Sequence, residues 1–210
     1  MTINNINIFN KKKKLLLSKY LNNNYIYNQS YNLSENKKLL IVNNNYYKDS
    51  AVLCLLEPNL KNKRYDIVLT KRSQDLKSHP GQISFPGGKL EKNDNSNHIR
   101  CAYREAKEEI NFNSECCSYL GKLNKYITGT GYLIQPVLAI NEKKQVFAMN
   151  KDEVSRIIYF PIDLILNKKN IKKIFYNKSQ FYYSLKWQGL NIWGATAKIL
   201  IDLVSILKKI

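Results

Sequence analysis

Apolar and polar residues follow two patterns along the chain, one predicting strands and the other helices. Short apolar runs, typical of buried strands, lie at 51–56, 66–70, 83–85, 119–128, 132–140, 154–160, 175–185 and 190–193. Apolar residues spaced three and four apart predict amphipathic helices over 96–110 and 195–208, and Pro161 opens a shorter predicted helix ending at Leu166. Because strands outnumber the helices that flank them, the pattern predicts an α/β fold, an α/β/α sandwich with a mixed β-sheet.

The first 45 residues differ from the rest of the chain because they are rich in Asn and Lys, with a short helix predicted over 11–21. We expect residues 1–45 to form an N-terminal arm and residues 46–210 a single domain that includes the last helix. The run from Lys11 to Leu17 is similar to the start of a signal peptide, but its apolar part is too short. No run of 18 apolar residues follows, so no membrane span is expected.

Four cysteines are present, and none of them forms a C-x-x-C pair: Cys54, Cys101, Cys116 and Cys117. This spacing fits neither a zinc site nor a disulfide framework. It predicts scattered reduced thiols, which favours a cytoplasmic protein.

The chain carries a formal net charge of +18, from 34 Lys and Arg against 16 Asp and Glu. Such an excess is typical of proteins that bind nucleic acid or anionic membranes. The excess is mostly lysine and accompanies many Asn, Ile and Tyr residues, so a bias toward A/T-rich codons is the simpler explanation. Nucleic acid is therefore not the expected partner, although a positive surface would still attract a phosphate-bearing substrate.

The densest group of acidic residues lies near the end of the helix predicted over 96–110. Glu105, Glu108 and Glu109 stand at i, i+3 and i+4 and share one helix face. Like charges this close repel unless a cation lies between them, so they indicate a divalent metal site. The alternative, a solvated face paired with lysines, explains the clustering less well. The glycine turn Gly87-Gly88 precedes the helix and lets the backbone approach a metal or phosphate closely.

The segment from Gly88 to Phe112 resembles the Nudix box, G-x5-E-x7-R-E-U-x-E-E-x-G-U, in which U is a bulky apolar residue. The second half of the box matches, except that Ala106 is small for a U position and Asn111 replaces Gly. Asp94 takes the place of the first Glu, and nine residues instead of seven separate it from Arg104. This spacing implies a longer loop before the helix.

A second signature lies upstream of the box. Residues 69–88 resemble L-L-T-x-R-S-x3-R-x3-G-x3-F-P-G-G, which is typical of coenzyme A pyrophosphatase-type Nudix hydrolases. Val68 replaces the first Leu, and Lys77 replaces the second Arg, which keeps the charge but loses the bidentate fork. Two signatures in this order are far more specific than a lone glycine-rich loop.

The resemblance implies a Nudix-like sandwich and a metal-dependent hydrolase that acts on a small-molecule diphosphate. The implied substrate is coenzyme A or a derivative, giving adenosine 3′,5′-bisphosphate and 4′-phosphopantetheine. Two alternatives stay open: the same hydrolysis of another nucleoside diphosphate derivative, and a non-catalytic nucleotide- or RNA-binding module that kept the fold. The intact glutamate cluster argues against the module. A monomer and a homodimer are both compatible with the sequence.

The resemblance also implies catalytic and metal-binding roles. Glu105 and Glu109 would hold Mg²⁺ or Mn²⁺, and Glu108 would hold a second ion or act as base. Arg104 would orient a glutamate. Glu153 is a candidate additional ligand or base, and a solvated loop carboxylate is the equally simple alternative.

Substrate contacts are implied for residues of the upstream signature and the glycine turn: Arg72, Lys77, Gly87 and Gly88. Arg72 and Lys77 are equally well explained as ordinary surface cations. His79 lies inside the signature, where a structural or substrate role is expected, whereas His98 is expected to be solvent-exposed. Asp94 receives no role.

Overall fold

A mixed β-sheet forms the centre of the protein in the computed structural model, which describes residues 12–22, 47–175, 177 and 181–209. Its strands are β1 (Lys48–Asn59), β2 (Arg64–Arg72), β3 (Ile83–Ser84), β4 (Gly87–Lys89), β5 (Cys117–Lys122), β6 (Tyr126–Ile127), β7 (Tyr132–Asn141) and β8 (Val154–Pro161). The main order is β8–β2–β1–β7–β5, in which β1 and β7 are parallel and the other pairs antiparallel. The predicted mixed sheet is confirmed.

Helices cover both faces of this sheet. The helices are α1 (residues 12–22), α2 (His98–Ile110), α3 (Asp163–Leu166) and α4 (Gly194–Leu207). A second, antiparallel sheet contains β9 (Ile171–Phe175), β10 (Phe181–Trp187) and β11 (Leu190–Trp193). Helix α2 packs on one face of the main sheet, and α1, α4 and the second sheet contribute to the core on the other, so the predicted sandwich is confirmed.

Strand β1 shows why its apolar run is continuous rather than alternating. Leu53 and Leu55 pack toward α2, whereas Cys54 and Leu56 pack toward the opposite core. All four side chains have no solvent exposure. A strand that is buried on both faces must be apolar at every position, which is the pattern seen in the sequence.

The segment that carries the glycine turn lies between two diverging strands. β1 and β2 pair from Asn59 and Arg64 as far as Leu56 and Ile67, and beyond that point β3 pairs with β2 while β4 pairs with β1. Gly87 lies so close to β1 that a Cβ atom on it would come within 2.4 Å of the Ala51 carbonyl oxygen. The turn is therefore held against the sheet, with Gly88 facing α2.

Helix α1 is part of the core, although it lies in the segment predicted to be an arm. Leu17 and Leu21 of this helix are buried in the hydrophobic core. Gly121 on β5 makes room for this contact, because a Cβ atom there would lie 2.7 Å from the Leu21 Cβ. None of the helices within the described residues is long and apolar enough to cross a membrane.

Several strand boundaries differ from the predictions. The strand predicted over 119–128 is two strands, β5 and β6, and β5 contains a register shift between Tyr119 and Gly121. The strand predicted over 175–185 begins only at Phe181, and β9 was not predicted. All four cysteines are free thiols.

Candidate active site

Helix α2 is fixed at both ends by asparagine. The Asn97 side chain accepts hydrogen bonds from the backbone N–H groups of Ile99 (2.9 Å) and Arg100 (3.3 Å), which caps the first turn. At the other end Asn111 adopts the left-handed conformation (φ 54°), in the position where the Nudix box has Gly. The helix buries Ala102, Ala106 and Ile110.

Glu109 is the most buried of the three helix glutamates, with 2% of its surface exposed. Its carboxylate accepts a hydrogen bond from the Thr70 hydroxyl (3.4 Å) and one from the Gly87 backbone. The Arg72 guanidinium lies 3.9 Å away. Burial raises the pKa of Glu109 to about 8, although Arg72 lowers it and the carboxylates of Glu105 and Glu153 raise it further.

Arg104 is the hub that connects the acidic residues. Its Nε and Nη2 donate to the two oxygens of Asp94 (3.1 and 2.9 Å), and its Nη1 donates to Glu105 (2.9 Å) and Glu108 (3.1 Å). Nη2 also donates to the Lys89 carbonyl (3.1 Å). Arg104 therefore binds Asp94 in a bidentate manner while its Nη1 contacts Glu105 and Glu108.

Asp94 is the site residue that the sequence left without a role. It is 2% exposed, and its hydrogen bonds with Arg104 lower its pKa despite burial. The two extra residues of the loop are absorbed by Asn95 and Ser96, which both take positive φ angles (51° and 56°). Asp94 thus reaches Arg104 despite the longer spacing. Its place in the sequence, where the Nudix box has its first Glu, was the signal that could have assigned it to the site.

Glu105 and Glu108 differ in exposure. The Glu105 side chain is 15% exposed and the Glu108 side chain 50% exposed. Burial raises the pKa of Glu105, and the neighbouring charges of Glu108 and Glu153 raise it further, whereas Arg104 lowers it. The three helix glutamates therefore differ in burial, from Glu109 in the core through Glu105 to the half-exposed Glu108.

Glu153 comes to this site from a distant part of the chain. It lies in the turn before β8, where its backbone N–H donates to the Asn150 carbonyl (3.1 Å) and its carbonyl accepts from the Ser73 N–H (2.8 Å). Asn150 in turn donates from its N–H to the Glu109 carbonyl (2.9 Å). Glu153 is close enough to raise the pKa of Glu105 and Glu109.

Of the residues predicted to bind substrate, Arg72, Gly87 and Gly88 lie beside these carboxylates. Arg72 ends β2 beside Glu109, and Lys77 is exposed on the loop that follows. Gly88 faces Glu105, and a Cβ atom built on it would lie 2.4 Å from that carboxylate. The space at Gly88 is thus filled by a glutamate side chain.

The two histidines lie outside the carboxylate cluster. His98 is in the first turn of α2, about 16 Å along the helix from Glu109. Its side chain is 13% exposed and its Nε2 lies 3.1 Å from Asp49, so the expectation that it is solvent-exposed was wrong. Asp49 lies on β1, and the sequence around His98 does not indicate that this strand lies beside it. His79 is exposed on the loop after β2, with φ at 56°.

Comparison with known proteins decides the family. Residues 47–179 match the model of the NUDIX domain. The chain belongs to the Nudix family. Two curated relatives are both described as an uncharacterized Nudix hydrolase NudL. The protein from Pectobacterium atrosepticum is 34% identical over 140 residues, 65% of this chain and 72% of that protein. The protein from Yersinia pestis is 30% identical over 157 residues, 73% of this chain and 75% of that one.

A solved structure supports the same fold. The MutT protein from Methanosarcina mazei superposes with a TM-score of 0.51 at 14% identity, over 79% of this chain and 98% of that one. The family assignment makes this chain a Nudix hydrolase that acts on the diphosphate bond of a small molecule.

Nudix hydrolases generally use divalent metals, and the carboxylates here fit such an ion in their chemistry. Within the described part of the chain, no three His, Cys, Asp or Glu side chains are arranged to hold a metal directly. Arg104 engages Glu105 and Glu108 instead. Because Glu109 and Glu153 add to the negative charge around Glu105, a hard cation would relieve the repulsion among these carboxylates.

Proposed function

We propose that this Nudix hydrolase splits the diphosphate bond of coenzyme A or a derivative of it. The observation that carries the proposal is the position of the upstream signature, residues 69–88, in the folded chain. It brings Arg72 to 3.9 Å from Glu109 and Gly88 against Glu105. The segment that suggests the substrate therefore borders the carboxylates that suggest the chemistry.

The reaction consumes one water molecule. Its oxygen bonds to one phosphorus, the bond from that phosphorus to the bridging oxygen breaks, and the bridging oxygen stays with the other phosphate. The products from coenzyme A are adenosine 3′,5′-bisphosphate and 4′-phosphopantetheine. When bound, Mg²⁺ or Mn²⁺ would neutralise the diphosphate charge and lower the pKa of the attacking water.

The four glutamates divide the remaining work by their exposure. Glu105 and Glu109, one helical turn apart, would hold the ion, because they are the more buried helix glutamates and because burial and neighbouring carboxylates raise the pKa of both. Glu108 is half exposed and would contact a second ion or accept the proton of water. Glu153 would serve as a further ligand or base. Arg104 would orient Glu105 and Glu108 through its hydrogen bonds.

Cationic side chains next to the carboxylates would bind the substrate phosphates. The Arg72 side chain is 25% exposed and its guanidinium lies 3.9 Å from Glu109, where it could contact a phosphate bound at these carboxylates. Lys77 is exposed on the loop that follows, where it could reach a phosphate as a point charge. Gly87 and Gly88 would present backbone to the same phosphates.

Hydrolysis of another nucleoside diphosphate derivative would use the same residues. A non-catalytic nucleotide- or RNA-binding module is less well supported, because a protein that only binds would not need three glutamates crowded on one helix face, where they raise one another's pKa. Salt-sensitive RNA binding without hydrolysis would favour the module.

A panel of diphosphate substrates tests the proposal. Coenzyme A, its thioesters, dinucleotides and nucleotide sugars are incubated with Mg²⁺ or Mn²⁺, and products are identified by mass. We expect coenzyme A to be turned over with release of 4′-phosphopantetheine. Good turnover of another diphosphate with none of coenzyme A would refute the substrate assignment.

A pair of variants tests the chemistry. Glu108→Gln should lose most of the hydrolysis while still binding substrate, because it keeps its shape but no longer accepts a proton. The matched control is Glu115→Gln, an exposed glutamate beyond the end of α2, which should keep full activity. Equal activity in both variants would remove Glu108 from the mechanism.

A further inference from the structure

A buried carboxylate outside the active site has no assigned part in the reaction. Glu57, near the end of β1, is 1% exposed. Its Oε1 accepts a hydrogen bond from the Gln145 N–H (2.7 Å), and its Oε2 accepts one from the Asn141 side-chain amide. Each carboxylate oxygen thus has its own donor, which a charged group needs when it is removed from water.

Gln145 extends this network to the end of helix α2. Its side-chain amide donates to the Asn141 side-chain oxygen (2.8 Å) and to the Asn113 carbonyl (2.9 Å), and its Oε1 accepts from the Asn113 N–H (3.1 Å). Asn113 lies three residues beyond the last residue of α2, Ile110. The segment 142–153 therefore begins with an anchor that joins β1, β7 and the chain leaving α2.

The same segment then follows the end of α2 to Glu153. The Ala148 N–H donates to the Ile110 carbonyl (3.1 Å), and the Asn150 N–H donates to the Glu109 carbonyl (2.9 Å). Both bonds satisfy carbonyls that an α-helix leaves open at its C-terminus. The Asn150 carbonyl then accepts a hydrogen bond from the Glu153 N–H. The backbone of Glu153 is thus held beside Glu109 by a segment whose other end rests on Glu57.

We propose that Glu57 is a positioning residue, which anchors segment 142–153 and thereby sets where Glu153 stands relative to Glu105 and Glu109. The inference rests on the role in diphosphate hydrolysis proposed for Glu153. Glu57 acts through the segment and not by contact with substrate. In the sheet, Glu57 lies opposite Asp66 on β2. Asp66 is four residues, about 13 Å along the strand, from Thr70, which contacts Glu109.

The variant Glu57→Gln tests the anchor with a minimal change of shape. An amide offers one acceptor oxygen and turns its NH₂ group toward either the Asn141 amide or the Gln145 N–H, both of which are donors. The segment must shift to separate them. Because small displacements of catalytic groups are costly, we expect kcat to fall about tenfold or more, with a much smaller change in KM.

The double variant Glu57→Gln/Asn141→Asp should restore activity, because it exchanges the amide and the carboxylate. Gln at 57 would then accept from the Gln145 N–H and donate to the new carboxylate at 141. The other oxygen of that carboxylate would still accept from the Gln145 amide. The swap keeps the net charge and the volume, so it also serves if Glu57→Gln alone folds poorly. If the double variant folds but its kcat is as low as that of Glu57→Gln, the proposal is overturned.

Coupling to Glu153 separates positioning from general destabilisation. If Glu57 acts through Glu153, the variant Glu57→Gln/Glu153→Gln should be no slower than Glu153→Gln alone. If the two substitutions instead lower the rate by the product of their separate effects, Glu57 acts independently of Glu153 and the inference is refuted. A lower melting temperature of Glu57→Gln with unchanged kcat and KM would refute it as well. Val146→Ala, in the same segment but with a side chain 93% exposed, is the control expected to behave as wild type.

Amide hydrogen exchange provides a readout that needs neither substrate nor metal. In Glu57→Gln the amides of Asn150 and Glu153 should exchange faster than in wild type, whereas those of β1 should not. Unchanged exchange at both positions would contradict the anchor. Kinetics are measured on whichever diphosphate the wild type hydrolyses, so failure with coenzyme A alone leaves this test intact. Absence of all hydrolysis would instead refute the proposed function.

Discussion

Gly88 on β4 and Glu105 on α2 occupy adjoining space, so that a Cβ atom on the glycine would lie 2.4 Å from the carboxylate. The glycine is pinned there by the pairing of β4 with β1, in which Gly88 lies opposite Ala51. The carboxylate is held from the other side by Arg104 at 2.9 Å. The position of Glu105 is therefore set jointly by the absence of a side chain at Gly88 and by a cation.

Gly88→Ala should displace the Glu105 carboxylate and lower activity without unfolding the protein. The clash involves the far end of a flexible side chain, and φ at Gly88 is not in the left-handed region. We expect kcat/KM to fall by about tenfold to a hundredfold, while the free energy of unfolding changes by about 1 kcal/mol or less. Steady-state kinetics and urea unfolding of one preparation measure both quantities.

Gly129→Ala is the matched control for this change. A Cβ atom at Gly129 meets no atom within 4 Å. Its activity and stability should stay at the wild-type level. Full activity of Gly88→Ala would show that the Glu105 carboxylate does not need the position seen here.

The bidentate pair between Asp94 and Arg104 predicts a large effect on stability. Asp94→Asn removes the negative charge and one of the two oxygens that accept from the guanidinium, whose side chain is 22% exposed. Removing one partner of a buried ion pair costs about 3 kcal/mol. Urea unfolding measures this loss, and Asp152→Asn, at an exposed aspartate of the turn before β8, is the control expected to show none. Equal unfolding midpoints of the two variants would contradict the structural role of Asp94.

The sequence predicted the parts of the site that are local. The glutamate face of α2 and the end of the helix at Ile110 both follow from spacing within one helix. Asp94 was set aside because the spacing to Arg104 is two residues longer than in the family pattern. Spacing along the chain is not distance in space, and two consecutive residues with positive φ shorten the loop enough to restore the contact.

Contacts between distant segments could not be predicted in this way. Glu153 lies 44 positions beyond Glu109 in the sequence, and only the path of segment 142–153 brings the two together. The docking of α1 likewise depends on Gly121, a residue on another strand. Strand β9 contains two consecutive lysines and four exposed positions out of five, so its sequence has no buried face to indicate a strand.

The contact between α1 and β5 predicts that the N-terminal helix stabilises the domain. Leu21→Ala removes a side chain that is 3% exposed and should lower the free energy of unfolding by about 2–5 kcal/mol. Leu15→Ala, on the same helix but 55% exposed, should cost about 0.5 kcal/mol or less. Thermal and urea unfolding compare the two. Equal stability of both variants would mean that α1 does not contribute to the core.

The raised pKa of Glu109 predicts how the stability of the metal-free protein depends on pH. Its pKa is about 8 when folded, against about 4.3 for an unperturbed Glu. Between these values the folded state holds a proton that the unfolded state has released, so stability falls as pH rises. The slope from this one group is at most about 1.4 kcal/mol per pH unit.

Glu109→Gln isolates this contribution, because the amide keeps the shape of the side chain and does not titrate. With a chelator present, wild type should lose stability relative to the variant from about pH 5 to pH 8, so the variant becomes the more stable protein at the upper end. Thermal unfolding at several pH values measures the difference, in which other titrating groups cancel. Added Mg²⁺ or Mn²⁺ should raise the melting temperature of wild type more than that of the variant, because only the ionised carboxylate binds the ion strongly. A pH-independent difference would show that Glu109 is ionised throughout this range, and equal shifts with metal would exclude it as a ligand.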